Sequence, residues 1–234
     1  MFHFKQFSVK QNRSAMKIST DSVLLGAWTP LFSPLSVLDI GAGTGVISLM
    51  IAQRTENTLI DAVEIDTEAF TECSENFSNS KWTNRLQCYH KDIRDFSKES
   101  NKKYDLIISN PPFFTEKIFS KNKNRDIARF TENLPFEELL KSISLLLSEK
   151  GFFSVIIPFK EENIFIEKAN SFSLFPSLIT HIRGNFNSEI KRSLILFSLN
   201  KTENISFDEI IIEKQRHIYT EKYINLTKNF YLNL

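Results

Sequence analysis

The run Val37-Leu38-Asp39-Ile40-Gly41-Ala42-Gly43-Thr44-Gly45 constrains this chain more than any other. Its first residues make a short buried strand. Three alternate glycines then force a turn whose backbone can take positive φ and admit a ligand close to the main chain. Val46, Leu49, Met50 and Gln53 follow at helical spacing. A strand, a glycine-rich turn and a helix in that order open a nucleotide-binding βα unit, so an α/β fold is expected. The same turn also excludes ligands. A dinucleotide fingerprint needs glycine where Val46 stands, and a phosphate-gripping loop needs a Lys-Ser/Thr pair where Val46-Ile47 stand. NAD and ATP are both disfavoured.

The next strand, Leu59 to Asp66, ends in carboxylates, and Glu64 falls 19 positions after Gly45. An acid at that place can chelate both hydroxyls of a ribose. Asp66 reads as the N-cap of a helix whose apolar side is Ala69, Phe70, Cys73 and Phe77. A third strand around Leu86 to His90 leads into Lys91-Asp92-Ile93, where Asp92 can accept from an adenine amine while Ile93 packs on the ring. A fourth, Tyr104 to Ser109, runs into Asn110-Pro111-Pro112-Phe113, about 70 residues after the glycine turn, which is the spacing of two βα units. The Asn110 side-chain oxygen is one acceptor there, and the Pro111 carbonyl is a second, because Pro112 holds Pro111 extended. Two convergent acceptors suit a planar NH2 group, and the Phe113 ring offers a face for an extruded base. Taken alone, the tetrad also reads as a turn that ends a strand.

The DxGxGxG turn at Asp39, Gly41, Gly43 and Gly45, the acid Glu64, the pair Asp92-Ile93 and the NPPF tetrad together resemble class I S-adenosylmethionine-dependent methyltransferases of the amino-methylating kind. The stretches Phe4 to Val9 and Ala15 to Trp28 narrow the likeness. They are similar to bacterial valine-tRNA adenine N(6)-methyltransferases, which modify the adenine just 3′ of the anticodon. The resemblance covers nearly the whole chain. It implies a doubly wound, mostly parallel seven-stranded sheet with an antiparallel edge strand, Rossmann-like, behind a short N-terminal hairpin and helix. It also implies S-adenosylmethionine as cofactor, held by Thr20, Asp39, Gly41, Gly43, Gly45, Glu64, Asp92, Ile93 and Asn110. Asn110, Pro111 and Phe113 are then the catalytic residues, and tRNA is the partner. Thr20-Asp21 can touch the cofactor or cap the following helix. Guanine and protein-glutamine methyltransferases carry similar tetrads, so a guanine amine or a protein glutamine stays open as acceptor. A non-catalytic RNA-binding protein on the same scaffold is the reading from another class, and the intact tetrad argues against it.

An aromatic amine is a poor nucleophile because its lone pair is delocalised into the ring. Two acceptors on its hydrogens favour a pyramidal nitrogen with the lone pair aimed at the methyl group, so orientation supplies most of the catalysis. No strong general base is required.

Composition fits such an enzyme. At 234 residues and 41% hydrophobic, the chain suits one domain, 1–234, with an N-terminal extension over 1–33, a catalytic core over 34–200 and a C-terminal strand and helix over 201–234. No apolar run reaches the ~18 to 20 residues of a membrane span and no signal peptide is evident, so a cytoplasmic protein is expected, as a monomer. Cys73 and Cys88 lack metal or redox spacing, and the histidines are scattered; no metal is implied.

Net charge is +1, far from strongly basic, but its distribution is uneven. Lys5, Lys10, Arg13 and Lys17 precede any acid; Lys117, Lys121, Lys123, Arg125 and Arg129 follow the tetrad; Arg183, Lys191 and Arg192 form a third group. Around the mouth of the tetrad such groups would hold phosphates, whereas elsewhere they are solvated faces. Lys17, Phe113, Phe114, Lys121, Lys123, Arg125 and Arg129 are the expected substrate contacts. The stretch 115–129, rich in Asn and Lys and free of Gly, is expected to order only around a substrate.

Signals for the remaining elements are local. A helix is expected from about Thr20 to Phe32. Another starts near Pro135 and stops at Lys150-Gly151, with strand Phe152 to Pro158 after it. A helix from about Glu161 to Ser171 precedes two strands joined by Gly184-Asn185-Phe186-Asn187, and a final strand and helix follow from Ile210.

Overall fold

Near-continuous apolar runs such as Leu106-Ile107-Ile108 suit strands buried on both faces, and they build the centre of this molecule. The computed structural model describes residues 1–112 and 134–233. An antiparallel ribbon of β1 (Phe2–His3) and β2 (Ser8–Val9) precedes α1 (Thr20–Trp28). Strands and helices then alternate: β3 (Ser36–Ile40), α2 (Val46–Arg54), β4 (Leu59–Glu64), α3 (Thr67–Ser78), β5 (Leu86–His90), α4 (Ile93–Glu99) and β6 (Tyr104–Ser109). After the tetrad come α5 (Phe136–Leu146), β7 (Leu147–Pro158), α6 (Glu162–Ser171), β8 (Phe175–Asn185) and β9 (Ile190–Ser198). Last are β10 (Ser206–Gln215), β11 (Ile218–Tyr219) and α7 (Glu221–Thr227).

The main sheet has the order β11-β10-β8-β9-β7-β6-β3-β4-β5. From β5 to β7 all neighbours are parallel, β9 is antiparallel to both β7 and β8, and β11 is antiparallel to β10 at the edge. This is the doubly wound, mostly parallel fold that the sequence implies. The C-terminal segment makes the sheet nine-stranded among the described residues, because β10 pairs in parallel with β8 and carries β11. Side chains alternate between two cores. Val37, Ile60, Leu106 and Ile108 face α1, α2, α3 and α7, while Leu38, Val63, Ile107 and Val155 face α4, α5 and α6.

Two helix ends differ from expectation. Helix α1 stops at Trp28, since Pro30 disfavours a helical Thr29, whose hydroxyl caps the Leu25 carbonyl at 2.8 Å. Lys150-Gly151 does not end α5. Leu147 already pairs with Tyr104, and the register then jumps to Leu106 opposite Phe152, so residues 148–151 bulge within β7. A Cβ on Gly151 would lie 2.8 Å from the Tyr104 carbonyl oxygen, which is why glycine closes that bulge.

Candidate active site

Register brings the motifs to one edge of the sheet. Ile40, the last residue of β3, lies opposite both Val63 and Ser109, so the glycine turn sits between Glu64 and Asn110. Glu64 in turn pairs with His90, which places Asp92 at the same edge. That is the carboxyl end of the parallel strands, where doubly wound sheets bind ligands. A 260 Å³ cavity lined by Phe32, Leu35, Asp105 and Lys150 lies at the opposite end, away from these residues.

Gly41, Gly43 and Gly45 have φ of +71°, +56° and +79°. They do different work. Among the described residues a Cβ on Gly41 or Gly43 would meet nothing within 4 Å, so both leave open surface, whereas on Gly45 it would stand 2.6 Å from Phe77 and 2.8 Å from the Cys73 sulfur. Gly45 therefore lets α3 pack under the turn. The Glu64 carboxylate braces it: Gly43 N–H donates to Oε2 at 2.7 Å, and the Ile65 and Asp66 N–H groups donate to Oε1 at 2.8 and 2.9 Å. Three of roughly four lone-pair sites are filled, so one acceptor site, on Oε2, remains for a ribose hydroxyl.

Asp39, 1% exposed, is the deepest acid of the site. Ser48 donates to its Oδ2 through both N–H and hydroxyl, at 3.1 and 2.7 Å, while Oδ1 has no partner among the described residues. Burial pushes its carboxyl up to about 6, against the pull of the Ser48 bonds. An unsatisfied buried oxygen two residues before an open glycine turn is the arrangement that a ligand bearing a cationic donor would complete.

Asp66 caps α3, accepting from Ala69 N–H at 2.7 Å, as its position suggests. Asp92 caps α4 and also grips Arg94, whose guanidinium beside it holds the carboxyl below its usual range. Ile93 is buried next to it. Thr20 is not the cap of α1; Ser19 is, accepting from Ser22 N–H. Thr20 instead lines a 300 Å³ cleft with Gly184, Asn185, Glu213, Tyr219 and Tyr223, and Asp21 pairs with Arg192 at 2.7 Å. At the end of β6, Asn110 is half-buried, Pro111 buried and Pro112 exposed. The Asn110 amide nitrogen donates to Ser22 Oγ at 3.2 Å, which leaves the amide oxygen as the acceptor end. Phe113, Phe114, Lys121, Lys123, Arg125, Arg129 and the stretch 115–129 lie outside the described residues.

Three comparisons bear on this edge. The family model of the methyltransferase small domain matches residues 16–133, from just before α1 to past the tetrad. Over all of its length, and all of the other's, the chain is 54% identical to a tRNA1(Val) (adenine(37)-N6)-methyltransferase of Flavobacterium psychrophilum. It is 42% identical to a protein of the same name from Bacteroides fragilis, covering 98% of it. The chain belongs to the tRNA1(Val) (adenine(37)-N6)-methyltransferase family. Among solved structures, a predicted O-methyltransferase from Agrobacterium tumefaciens superposes with a TM-score of 0.68 at 18% identity, over 90% of this chain and 96% of that one. A methyltransferase from Pyrococcus furiosus gives 0.58 at 19%, over 82% and 88%. At such identities the likeness is one of fold.

In this family member the basic N-terminal segment is largely engaged within the protein. Lys10 and Arg13 pair with Glu75, and Lys5 donates to the Lys228 carbonyl. Lys17 is exposed. In the third group, Arg183 pairs with Glu209 and Arg192 with Asp21, while Lys191 is exposed. Residues that the sequence reading passed over hold the segment in place. Glu72, 2% exposed, accepts from the N–H groups of Asn12, Arg13 and Ser14 at 2.6, 3.2 and 3.0 Å. Asn76 accepts from Lys10 N–H at 2.8 Å and donates to the carbonyls of Lys10 and Thr44, at 3.0 and 2.9 Å. It thereby ties the N-terminal segment to the glycine turn. The only signal for either was a polar residue on a helix, indistinguishable from a solvated one.

Proposed function

We propose that this protein transfers a methyl group from S-adenosylmethionine to the exocyclic amine of an adenine in tRNA, the adenine 3′ of the anticodon in valine tRNA. The observation that carries the reading is the placement of Asn110 beside the open glycine turn at the carboxyl edge of the sheet, with its amide oxygen as the acceptor end. The names of full-length relatives at 42% and 54% identity support the choice of substrate. S-adenosylmethionine, when bound, supplies an already activated methyl group. Gly41 and Gly43 offer it open main chain and Asp39 an oxygen without a partner among the described residues; Glu64 is assigned to the ribose, and Asp92 and Ile93 to the adenine.

Asn110 Oδ1 and the Pro111 carbonyl accept the two hydrogens of the target amine, and Phe113 supplies the stacking face. This hold pyramidalises the nitrogen and aims its lone pair. The new N–C bond would form as the methyl–sulfur bond breaks and the sulfur leaves as a neutral thioether; one N–H proton would then pass to water, so no side-chain base is required. Lys17, Phe114, Lys121, Lys123, Arg125 and Arg129 are assigned to the RNA, and Thr20 to the cofactor side of α1. The reading includes a cytoplasmic monomer, with 1–234 working as one domain.

The test is incubation with deuterated-methyl S-adenosylmethionine and unmodified tRNA, digestion, and mass spectrometry of the nucleosides. Labelled N(6)-methyladenosine in valine tRNA is the expected result. Label on guanine, or none in intact RNA, refutes the substrate assignment. Asn110→Ala is expected to lower turnover at least about a hundred-fold with little effect on cofactor binding.

A further inference from the structure

Residues that precede the sheet reach the tetrad through the Ser22 hydroxyl. Asn110 Nδ2 donates to it at 3.2 Å, and Ser22 is only 9% exposed. The neighbour of that hydroxyl is Ser19 Oγ, also at 3.2 Å. Ser19 Oγ accepts from Ser22 N–H, so its own hydrogen is available to Ser22 Oγ. Ser22 Oγ then acts as an acceptor and matches the NH2 end of Asn110. An asparagine amide is a fork whose two ends are nearly alike in shape and opposite in hydrogen bonding. Turned over, it would present N–H donors to a substrate amine that itself brings hydrogens.

We infer that Ser22 is a positioning residue for methyl transfer: its hydroxyl holds the Asn110 amide with the oxygen toward the substrate amine. The inference rests on the reading of Asn110 as acceptor of that amine. Helix α1 is built to keep Ser22 in place. Asp21 is paired with Arg192 on β9 at 2.7 Å, Trp28 Nε1 donates to Thr180 on β8 at 3.0 Å, and Thr29 Oγ1 lies 2.8 Å from Ser154 Oγ on β7. Val23, Leu24 and Leu25 are buried beside it. A helix anchored to three strands presents one hydroxyl at a fixed place, and the N-terminal extension thereby takes part in orienting the reacting group.

The experiment compares Ser22→Ala, Ser22→Cys, Asn110→Ala and the double variant Ser22→Ala/Asn110→Ala in the full chain. Turnover is measured on valine tRNA at saturating S-adenosylmethionine, alongside calorimetric cofactor affinity and thermal melting. Loss of one ordinary hydrogen bond corresponds to about a two- to twelve-fold fall in turnover for Ser22→Ala, with cofactor affinity unchanged. Ser22→Cys, close in size with a weak hydrogen-bonding sulfur, should fall between, and it carries the comparison if the alanine variant does not fold. The double variant should be no slower than Asn110→Ala, because a residue acting through Asn110 has nothing left to orient. Wild-type turnover in Ser22→Ala with a slow Asn110→Ala overturns the inference alone. Losses that multiply in the double variant, or that follow cofactor affinity, also overturn it. Wild-type turnover in Asn110→Ala instead refutes the reading beneath it.

Discussion

Replacing Glu72 with alanine tests whether the N-terminal segment is held by one buried carboxylate. Three main-chain N–H groups converge on it at 2.6, 3.2 and 3.0 Å. A hydrogen bond to a charged acceptor contributes about 1.5–3 kcal/mol, and simple addition of three would overshoot, because the freed segment can lift and give its N–H groups to water. That escape limits the expected loss to about 2–4 kcal/mol, in the range of a broken buried network. For a chain of this size it means a fall in melting temperature of roughly 5–15 °C. Thermal unfolding by circular dichroism gives the shift, and amide hydrogen exchange at Asn12, Arg13 and Ser14 locates it. Glu75→Ala is the control: it removes pairs with Lys10 and Arg13 that are visible on the surface but solvated, and no resolvable shift is expected. The sign with pH is also fixed. Burial pushes the Glu72 carboxyl up, the N–H groups of Ser14, Arg13 and Asn12 pull it down, and the net position is below the ordinary carboxylate value. Its stabilisation is present above that ordinary value and lost as pH falls through the lowered one, so acid should erase the gap between wild type and Glu72→Ala. A melting shift under about 1 °C, or exchange at Asn12–Ser14 as slow as in wild type, refutes the argument.

The glycine turn and Asp39 give further tests. Gly45→Ala should destabilise by about 2–5 kcal/mol, from left-handed strain plus collision with Phe77 and Cys73. Gly43→Ala should cost only about 1–2 kcal/mol but weaken S-adenosylmethionine binding markedly, since its methyl enters the open surface; denaturation and calorimetry separate the two effects. Because the Asp39 carboxyl is raised to about 6, its favourable contribution to the free protein is complete below the ordinary carboxylate value and lost as pH rises through about 6. Cofactor affinity should rise over that same interval as Asp39 ionises. Asp39→Asn should bind weakly at every pH, and a wild-type titration curve in that variant contradicts the role.

Much of the fold was legible because parallel strands buried on both faces read as apolar runs and their ends are punctuated by glycine or proline. The glycine turn, the carboxylates after β4 and β5 and the tetrad after β6 could all be placed on strand ends, and register alone then gathers them. What could not be read depends on long-range pairing. Glu72 and Glu75 are the same residue type on the same helix, yet one is buried under three amides and the other is solvated. Lys10 and Arg13 look like an RNA-facing group until Glu75 is seen opposite them. Ser22 reads as an ordinary residue inside a helix, and only the fold sets Asn110 beside it. The reach of β10 was underestimated because its apolar run begins only at Ile210, while Ser206 to Glu209 ahead of it are exposed and carry no strand signal.

Helix α3 has one further consequence. Cys73 and Phe77 fill the volume that Gly45 leaves beneath the turn, while Glu72, Glu75 and Asn76, on the same three turns of helix, hold residues 10–14. Residues 10–14, the turn and the helix are therefore one coupled unit, whereas Phe4 and Lys5 are tied to the C-terminal residues Lys228, Phe230 and Tyr231. A chimera that exchanges the N-terminal segment between relatives should keep its cofactor grip only if residues 72–77 travel with it.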